Sequence, residues 1–238
     1  MNPELFIERL AEKGIQLTDK QIGQFARYCE LLQEWNQKIN LTAIDDREGI
    51  YLKHFWDSLT LTDGTHFSQV HTICDVGSGA GFPSLPLKIV FPHLKVTIID
   101  SLNKRIRFLD LLVKELELEN VSLLHGRAED FGQQDAYRAS FDLVTARAVA
   151  RLTILAEYCL PLVKKEGLFI AMKGERGQEE LDEAMHAIQI LGGQLQDNRD
   201  FSLPEDGGER YLTIIKKVKN TPRKYPRQAG MPSKKPLG

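Results

Sequence analysis

The strongest constraint on the fold of this chain is an alternation of strand-like and helix-like runs that begins near residue 71. Five short runs rich in apolar and β-branched residues are typical of buried strands: His71–Val76, Lys95–Asp100, Val121–Leu124, Phe141–Ala146 and Gly167–Met172. Four runs between or after them have helical character: Phe82–Val90, Asn103–Leu116, Leu152–Leu162 and Gln178–Leu191. Strands that alternate with helices form βαβ units, so the pattern predicts an α/β fold with a mostly parallel sheet.

Two further strand-like runs, Gln194–Leu203 and Arg210–Val218, follow without a helix between them. A short turn can join only antiparallel neighbours, because a parallel pair needs a long crossover. We therefore expect an antiparallel pair at one edge of the sheet.

The first part of the chain has helical signals. Asn2 and Pro3 fit the N-cap and the first residue of a helix. Thr18 and Gln21 fit a capping box at the start of a second helix. A shorter helical stretch passes through His54 to Leu59. We expect a helical N-terminal extension over residues 1–68 that packs on the sheet, an α/β domain over 69–219 and a C-terminal arm over 220–238.

The net charge of −2 conceals an uneven distribution. From Lys216 onward there are eight Lys/Arg and no acid, while the preceding chain carries 23 Lys/Arg against all 33 acids, a net charge of −10. Four prolines favour an extended arm over a helix. Such an arm is either a solvated end or a binding segment for the phosphates of a nucleic acid, and the candidate contacts are Lys224, Arg227, Lys234 and Lys235.

Several classes of protein are disfavoured by what the sequence lacks. No apolar run approaches the roughly 18 residues of a membrane span, and Met1–Glu4 lacks the layout of a signal peptide, so we expect a cytoplasmic protein. The three cysteines form no CxxC pair, so neither a metal site nor a disulfide framework is expected. No heptad pattern calls for a dimer, and we expect a monomer.

A glycine-rich loop follows the first strand, in the run Asp75-Val76-Gly77-Ser78-Gly79-Ala80-Gly81-Phe82. Glycines at a strand-to-helix turn let the backbone approach a ligand at the carboxyl end of the sheet. Because Phe82 replaces the last glycine of a GxGxxG fingerprint, a dinucleotide pyrophosphate is disfavoured. A nucleoside that carries a charged amino acid fits better, with Asp75 receiving its ammonium group directly or through water.

Acidic residues also follow the next two strands. Asp100 ends the second strand, where an acid accepts both hydroxyls of a ribose in nucleotide-binding α/β folds. Glu129 follows the third strand in Gly126-Arg127-Ala128-Glu129-Asp130, and a loop at that position reaches an adenine edge. A structural turn with surface acids is the alternative, but it does not account for all three positions together.

The loop and its acids resemble the first motifs of the class I S-adenosylmethionine-dependent methyltransferase fold. A longer series of motifs resembles the bacterial GidB/RsmG family of 16S rRNA guanine-N7 methyltransferases over almost the whole chain: Asn40-Leu41-Thr42, His54-x-x-Asp57-Ser58-Leu59, Asp75–Pro83, Asp100-Ser101-x-x-Lys104-Arg105, Arg147-Ala148-Val149, Lys173-Gly174 and Pro226-Arg227-x-x-Gly230-x-Pro232-x-Lys234-x-Pro236-Leu237. The resemblance implies S-adenosylmethionine as cofactor and 16S rRNA, in the small ribosomal subunit, as partner. It implies cofactor contacts at Gly77, Phe82, Ala128, Glu129 and Arg147, to which the motif adds Asp75, Gly79 and Gly81 and the second strand adds Asp100.

This chemistry agrees with the residues after the later strands. Guanine N7 has an exposed lone pair and no proton to lose, so methyl transfer needs alignment more than a base. The run Thr145–Val149 holds neither the Pro-Pro-aromatic motif of adenine-N6 enzymes nor a Pro-Cys nucleophile.

Three residues are candidates for the catalytic site. Arg147 is expected to hold the cofactor carboxylate, a phosphate or guanine O6, unless it only pairs with Asp142 or Glu129. Lys173 is a candidate for an RNA phosphate or O6, and His54 for positioning the guanine or for catalysis, unless it is simply packed. The competing functions are a small-molecule methyltransferase of the same fold, a non-catalytic nucleotide-binding regulator and an NAD-dependent enzyme.

Overall fold

Seven strands form a single sheet in the order β3-β2-β1-β4-β5-β7-β6 in the computed structural model, which describes residues 1–237. The strands are β1 Thr72–Val76, β2 Lys95–Asp100, β3 Val121–His125, β4 Phe141–Arg147, β5 Val163–Lys173, β6 Gly193–Ser202 and β7 Glu209–Lys217. The first five pair in parallel, and β7 runs antiparallel to both β5 and β6. The predicted α/β fold with an antiparallel edge pair is confirmed.

Residues 1–237 form ten α-helical segments that surround or precede the sheet. They are α1 Pro3–Glu12, α2 Asp19–Ile39, α3 Arg47–Ile50, α4 Asp57–Leu59, α5 Ser84–Val90, α6 Asn103–Glu115, α7 Ala128–Gln133, α8 Leu152–Cys159, α9 Gly177–Ile190 and α10 Met231–Lys234. A π-helical segment, Tyr51–Trp56, joins α3 to α4, and two 3₁₀ turns lie at Thr60–Asp63 and Phe67–Gln69. The Asn2 side chain accepts the N–H of Leu5, and the Thr18–Gln21 capping box is present, so both predicted helix starts are confirmed.

The sequence predicts a loop at the position of α7, but the structure has a short helix there. It has only six residues, too few for a helical period to emerge from the sequence. Its buried side of Ala128, Glu129 and Gly132 packs inward, and this tertiary contact decides its conformation.

The N-terminal helices share a hydrophobic core with one face of the sheet. Phe25 on α2 packs against Phe6 on α1 and Phe55 in the π-helical segment, with ring centroids 5.1 Å apart in each pair. The Tyr28 hydroxyl of α2 donates to the Ala80 carbonyl at 2.6 Å. The helices therefore support the glycine-rich loop directly.

The C-terminal arm folds back onto α7 and α8 rather than extending away. The Arg138 guanidinium donates to the carbonyls of Thr221 and Tyr225, and Gln133 donates to that of Pro226 at 2.6 Å. Tyr225 and Pro232 are buried, and the arm ends in the short helix α10. The expected extended conformation is wrong for residues 231–234, where Gly230 in the left-handed region and Pro232 in the first turn start a short helix.

No helix within residues 1–237 combines the length and the apolar character that crossing a bilayer requires. The same residues contain no cluster of His, Cys, Asp and Glu side chains arranged to hold a metal ion.

Candidate functional site

A cavity of about 500 Å³ opens at the carboxyl ends of β1, β2 and β4. This is where open α/β sheets bind ligands, since the strand order reverses there. The predicted residues that line it are Gly77, Gly79, Phe82, Asp100, Ala128, Glu129, Arg147 and His54. The structure therefore brings together residues from five segments that are separated in the sequence.

The three glycines of the loop all have positive φ, but they serve different purposes. A Cβ on Gly79, at φ 63°, would meet no atom within 4 Å, so this residue presents bare backbone to open space. A Cβ on Gly81 would lie 2.5 Å from the Tyr28 hydroxyl and 2.7 Å from Leu85 Cδ1. Gly81 does not line the cavity. Packing beneath the loop is sufficient to require a glycine at this position.

Asp100 and Glu129 lie in the cavity wall with most of their surface covered. Asp100 Oδ1 accepts the N–H of Leu102 at 2.9 Å, and its Oδ2 accepts that of Gly79 at 3.3 Å. Glu129, in the first turn of α7, accepts the N–H of Gly230 from the arm at 2.9 Å. Both carboxylates are held by backbone donors, so they enter the cavity in fixed orientations.

Asp75 occupies a different place from the one expected. Its side chain is fully buried and lies outside the cavity lining, with Oδ2 accepting the N–H of Ser84 at the start of α5. Burial raises the pKa of this carboxyl to about 7, although the hydrogen bonds from Ser84 and the charge of Arg147 oppose the shift. Asp75 thus supports the loop from behind, and its place outside the cavity lining gives no support to a direct contact with a ligand's ammonium group.

His54, Phe82 and Arg147 form a stacked cluster at the β4 side of the cavity. The His54 ring lies parallel to Phe82 at 4.5 Å, and the Arg147 guanidinium lies 5.0 Å from the centroid of the same ring. His54 Nδ1 is 3.2 Å from Arg147 Nη2, and His54 Nε2 is 2.8 Å from Thr42 Oγ1. Since the guanidinium only donates, Nδ1 accepts and Nε2 carries the imidazole proton.

The same cluster holds His54 neutral. Burial and, to a smaller extent, the neighbouring charge of Arg147 together lower the pKa of His54 to about 3. With both ring nitrogens engaged, the side chain orients Arg147 and has no free nitrogen to take a proton.

Arg147 is paired with Asp57, which sequence reasoning missed as a functional residue. The ion pair measures 2.9 Å, and Asp57 also pairs with Arg210 at 3.0 Å. The alternative partners, Asp142 and Glu129, are not the ones used. The motif His54-x-x-Asp57 pointed to Asp57 as a functional residue, but local sequence does not indicate which distant arginine it will pair with.

Lys173 lies outside this cavity. Its ammonium group is mostly buried, donates to the Ala150 carbonyl at 2.8 Å and pairs with Glu180 at 2.7 Å. It faces a second cavity, described below, that adjoins the first.

The arm residues divide into two groups. Lys224, Lys234 and Lys235 are exposed. In contrast, Arg227 pairs at 2.7 Å with Glu157, whose side chain is only 1% exposed. The Arg227 guanidinium also donates to the Lys235 carbonyl, so it fixes the arm to α8 and its charge is paired with Glu157.

Lys217, counted among the basic residues of the tail, is buried as well. Its ammonium group donates to the Leu160 carbonyl and to Thr221 Oγ1, and burial lowers its pKa to about 7. A contact between Lys217 and RNA is therefore not supported by its position.

The residues of the cavity fit S-adenosylmethionine. Ser78 Oγ, in the wall, is buried without a hydrogen-bond partner among residues 1–237, as a site for a polar ligand group would leave it. Gly79 is open to the cavity for close backbone approach, Asp100 stands where ribose hydroxyls bind, and Glu129 lies at the β3 side. Ser233 of the arm and Tyr158 of α8 complete the wall, which the sequence did not indicate.

Solved structures with a similar fold support this assignment of the architecture. A SAM-dependent methyltransferase from Aquifex aeolicus matches with a TM-score of 0.55 and 18% identity, over 75% of this chain and 97% of that one. The TYW2 protein of M. jannaschii in complex with AdoMet matches with a TM-score of 0.54 and 15% identity, over 73% and 77%. At this identity the likeness concerns the fold alone.

Sequence comparison is more specific. Two curated proteins called ribosomal RNA small subunit methyltransferase G cover the chain fully: the one from Exiguobacterium sibiricum is 57% identical over its whole length, and the one from Bacillus subtilis is 56% identical over 99% of its length. The family model described as GidB, rRNA small subunit methyltransferase G, matches residues 21–205. Sequence, fold and cavity agree, and the chain belongs to the GidB family of rRNA small subunit methyltransferases.

Proposed function

We propose that the protein transfers a methyl group from S-adenosylmethionine to N7 of a guanine in 16S rRNA. The observation that carries the proposal is the cofactor-sized cavity that ends at Arg147 and a neutral His54. S-adenosylmethionine supplies a methyl group activated by a cationic sulfur. The N7 atom supplies an in-plane lone pair and loses no proton, so the site needs to orient the base but not to deprotonate it.

Methyltransferases that modify cytosine carbon use a cysteine as nucleophile, and no cysteine among residues 1–237 is placed to act in this way. Cys29, Cys74 and Cys159 are all buried, and burial raises the pKa of each thiol. A cysteine that attacks cytosine must be exposed as a thiolate at the site. Attack by a ring nitrogen of the substrate itself is the chemistry that these residues favour.

The exposed lysines of the arm support an RNA substrate. Lys224, Lys234 and Lys235 lie on the outer side of a segment whose inner side lines the cavity through Ser233. Their charges attract phosphates, although they carry no sequence information. We infer a monomeric enzyme that acts in the cytoplasm on the small ribosomal subunit, where folded rRNA presents an accessible guanine.

The test is methylation of small subunits from a strain that lacks the corresponding gene. Purified protein with labelled S-adenosylmethionine should label 16S rRNA, and borohydride/aniline cleavage should appear at one guanine. Label on another base, or none, contradicts the proposal.

The rival function, a small-molecule methyltransferase, requires a matched variant. Deleting the arm would damage the cavity, since Gly230 and Ser233 contribute to it. The substitutions Lys224→Ala, Lys234→Ala and Lys235→Ala together remove charge and leave those contacts. Reduced methylation of subunits by the triple variant supports RNA as substrate, whereas unchanged methylation favours the rival.

A further inference from the structure

A second cavity, of about 520 Å³, adjoins the first and shares His54, Arg147 and Ala148 with it. It lies over the carboxyl ends of β4 and β5. Because β7 is antiparallel to β5, with Tyr211 opposite Lys173, the start of β7 brings Arg210 to the same edge. Lys53 and Asp57 close the cavity from the N-terminal helices.

The lining of this second cavity is basic. Five cationic side chains face three acidic ones, a net charge of +2: Lys53, Arg147, Lys173, Arg176 and Arg210 against Asp57, Glu175 and Glu180. The chain before Lys216 carries a net charge of −10, so this concentration of positive charge is local. A basic cavity in an acidic domain favours an anionic ligand such as a nucleotide.

Asp57 organises the cationic side chains. Its carboxylate is 5% exposed and spans two arginines, with Oδ2 accepting from Arg147 Nη1 at 2.9 Å and Oδ1 accepting from Arg210 Nε at 3.0 Å. Three elements that are distant in sequence therefore meet at one buried carboxylate. Rotation of either arginine breaks a charge-assisted hydrogen bond, so both guanidinium groups are held in place.

Arg147 keeps donors available in this arrangement. Among the contacts of residues 1–237, it donates to the Lys53 carbonyl, to Asp57 and to His54. A guanidinium has five N–H groups, so two remain uncommitted at a residue that lines both cavities. These donors suit an acceptor at the boundary between the two cavities.

We propose that the second cavity holds the target guanine nucleotide, with Arg147 donating to guanine O6, Arg210 facing the phosphate, and Asp57 positioning both arginines. The inference rests on the proposed function and names its substrate subsite. N7 must keep its lone pair for the methyl group, so the contact is to O6 alone. An adenine would place its N6 amine against the same Arg147 donors. Two donors would then face each other and neither would have an acceptor, so the site would reject adenine.

The apolar part of the lining fits a base. Ile44, Ala148 and Met172 contribute apolar surface beside the charged groups. A planar purine removes this surface from water while its O6 and its phosphate meet the arginines.

Arg210→Ala tests the subsite, because Arg210 lines the second cavity but not the first. We expect kcat/KM for small subunits to fall at least tenfold through a higher KM, while the Kd for S-adenosylmethionine, measured by calorimetry, stays within twofold. Arg199→Ala is the matched control, since Arg199 is exposed on β6 and, among residues 1–237, pairs only with Asp197 and the Asp63 carbonyl. If wild-type protein methylates subunits and Arg210→Ala behaves like Arg199→Ala, the subsite is wrong and the proposed function stands. If wild-type protein methylates nothing, the proposed function fails.

Asp57→Asn tests the positioning. A neutral amide cannot form ion pairs with two guanidinium groups. We therefore expect Asp57→Asn to have a lower kcat and a higher KM for subunits than Arg210→Ala has. Asp57→Glu keeps the charge and should recover part of the loss. Thermal denaturation identifies variants that are folded, and Arg210→Ala, at a half-buried residue, keeps the test available if Asp57→Asn is unstable. Folded Asp57→Asn protein with wild-type kinetics overturns the positioning role.

Discussion

At the scale of single residues, the structure separates positions that look alike in the sequence. Gly79 and Gly14 both have positive φ, at 63° and 79°, and a Cβ on either would meet nothing within 4 Å. Of the two, Gly79 lines the cavity at the carboxyl ends of β1, β2 and β4. Both positions therefore favour glycine because of their positive φ. They differ in that the open space beside Gly79 belongs to a cavity, whereas Gly14 lies outside the lining of that cavity.

Gly79→Asp should abolish S-adenosylmethionine binding by calorimetry, because a charged side chain would fill space that the cofactor needs. Gly14→Asp carries the same backbone cost, about 1 kcal/mol, at the end of α1. It should bind the cofactor as wild-type protein does. Equal affinities of the two variants would contradict the location of the cofactor.

His54 makes a prediction about pH. Its pKa is lowered to about 3 because it is buried, while the unfolded chain has the ordinary value of 6.5. Protons therefore bind preferentially to the unfolded state, and the stability that the neutral ring contributes is present above pH 6.5 and lost as the pH falls toward 3. Between pH 7 and pH 5 this amounts to about 2 kcal/mol.

His54→Gln should remove this component of the pH dependence. Urea denaturation at pH 7 and pH 5 measures the difference, and the variant should lose less unfolding free energy on acidification than wild-type protein. Nitrogen-15 spectra of the wild-type imidazole should show no protonation between pH 8 and pH 5. A titration near pH 6.5 would contradict the buried, neutral state.

At the scale of elements, the C-terminal arm is the segment whose role changes most. Its sequence indicates a basic, proline-rich binding segment, but its inner side is part of the domain. Gly230 donates to Glu129, Arg227 pairs with buried Glu157, and Tyr158 bonds to Ser233 at 2.9 Å. The arm thus holds one wall of the cavity at the carboxyl ends of β1, β2 and β4, while Lys224, Lys234 and Lys235 remain in solvent.

Arg227→Ala should lower the unfolding free energy by about 1–3 kcal/mol, because it leaves the Glu157 carboxylate buried without its partner. Arg223→Ala is the control in the same arm. Its partner Asp135 is 81% exposed, so water replaces the contact and the loss should stay below about 1 kcal/mol. Chemical denaturation measures both, and similar losses would contradict the anchoring role.

At the scale of the whole molecule, charge is partitioned between an acidic body and basic sites. The net charge of −2 excludes binding of RNA by bulk charge, yet the arm and the second cavity are both positive. RNA affinity should therefore depend on few residues and carry a moderate salt dependence.

The triple variant Lys224→Ala, Lys234→Ala, Lys235→Ala should reduce the salt dependence of subunit binding. Each lost phosphate contact lowers the slope of log K against log salt by about 0.7–0.9. Binding assays at several salt concentrations measure the slope, and thermal denaturation should be unchanged because the three side chains are exposed. An unchanged slope would place the RNA elsewhere.

What could be read from the sequence is what local patterns encode. The strands, their antiparallel edge pair, the caps of α1 and α2, and the loop with Asp100 and Glu129 follow from periods and short motifs. These features repeat every two to four residues or sit at the end of a strand, so nearby residues suffice to identify them.

Tertiary structure alone decided which charges meet. Asp57 pairs with Arg147, which lies 90 positions further along the chain, and with Arg210, which lies 153 positions further. No local sequence pattern relates residues at such separations. Folding also places Asp75 behind the loop, where it accepts from Ser84, and pairs Arg227 of the arm with the buried Glu157. The sequence by itself determined the fold class, the family and the cofactor loop, whereas the packing of helices and arm against the sheet determined how the side chains around that loop are used. The physical reason is that pairing and desolvation of a charge depend on neighbours that only folding brings together.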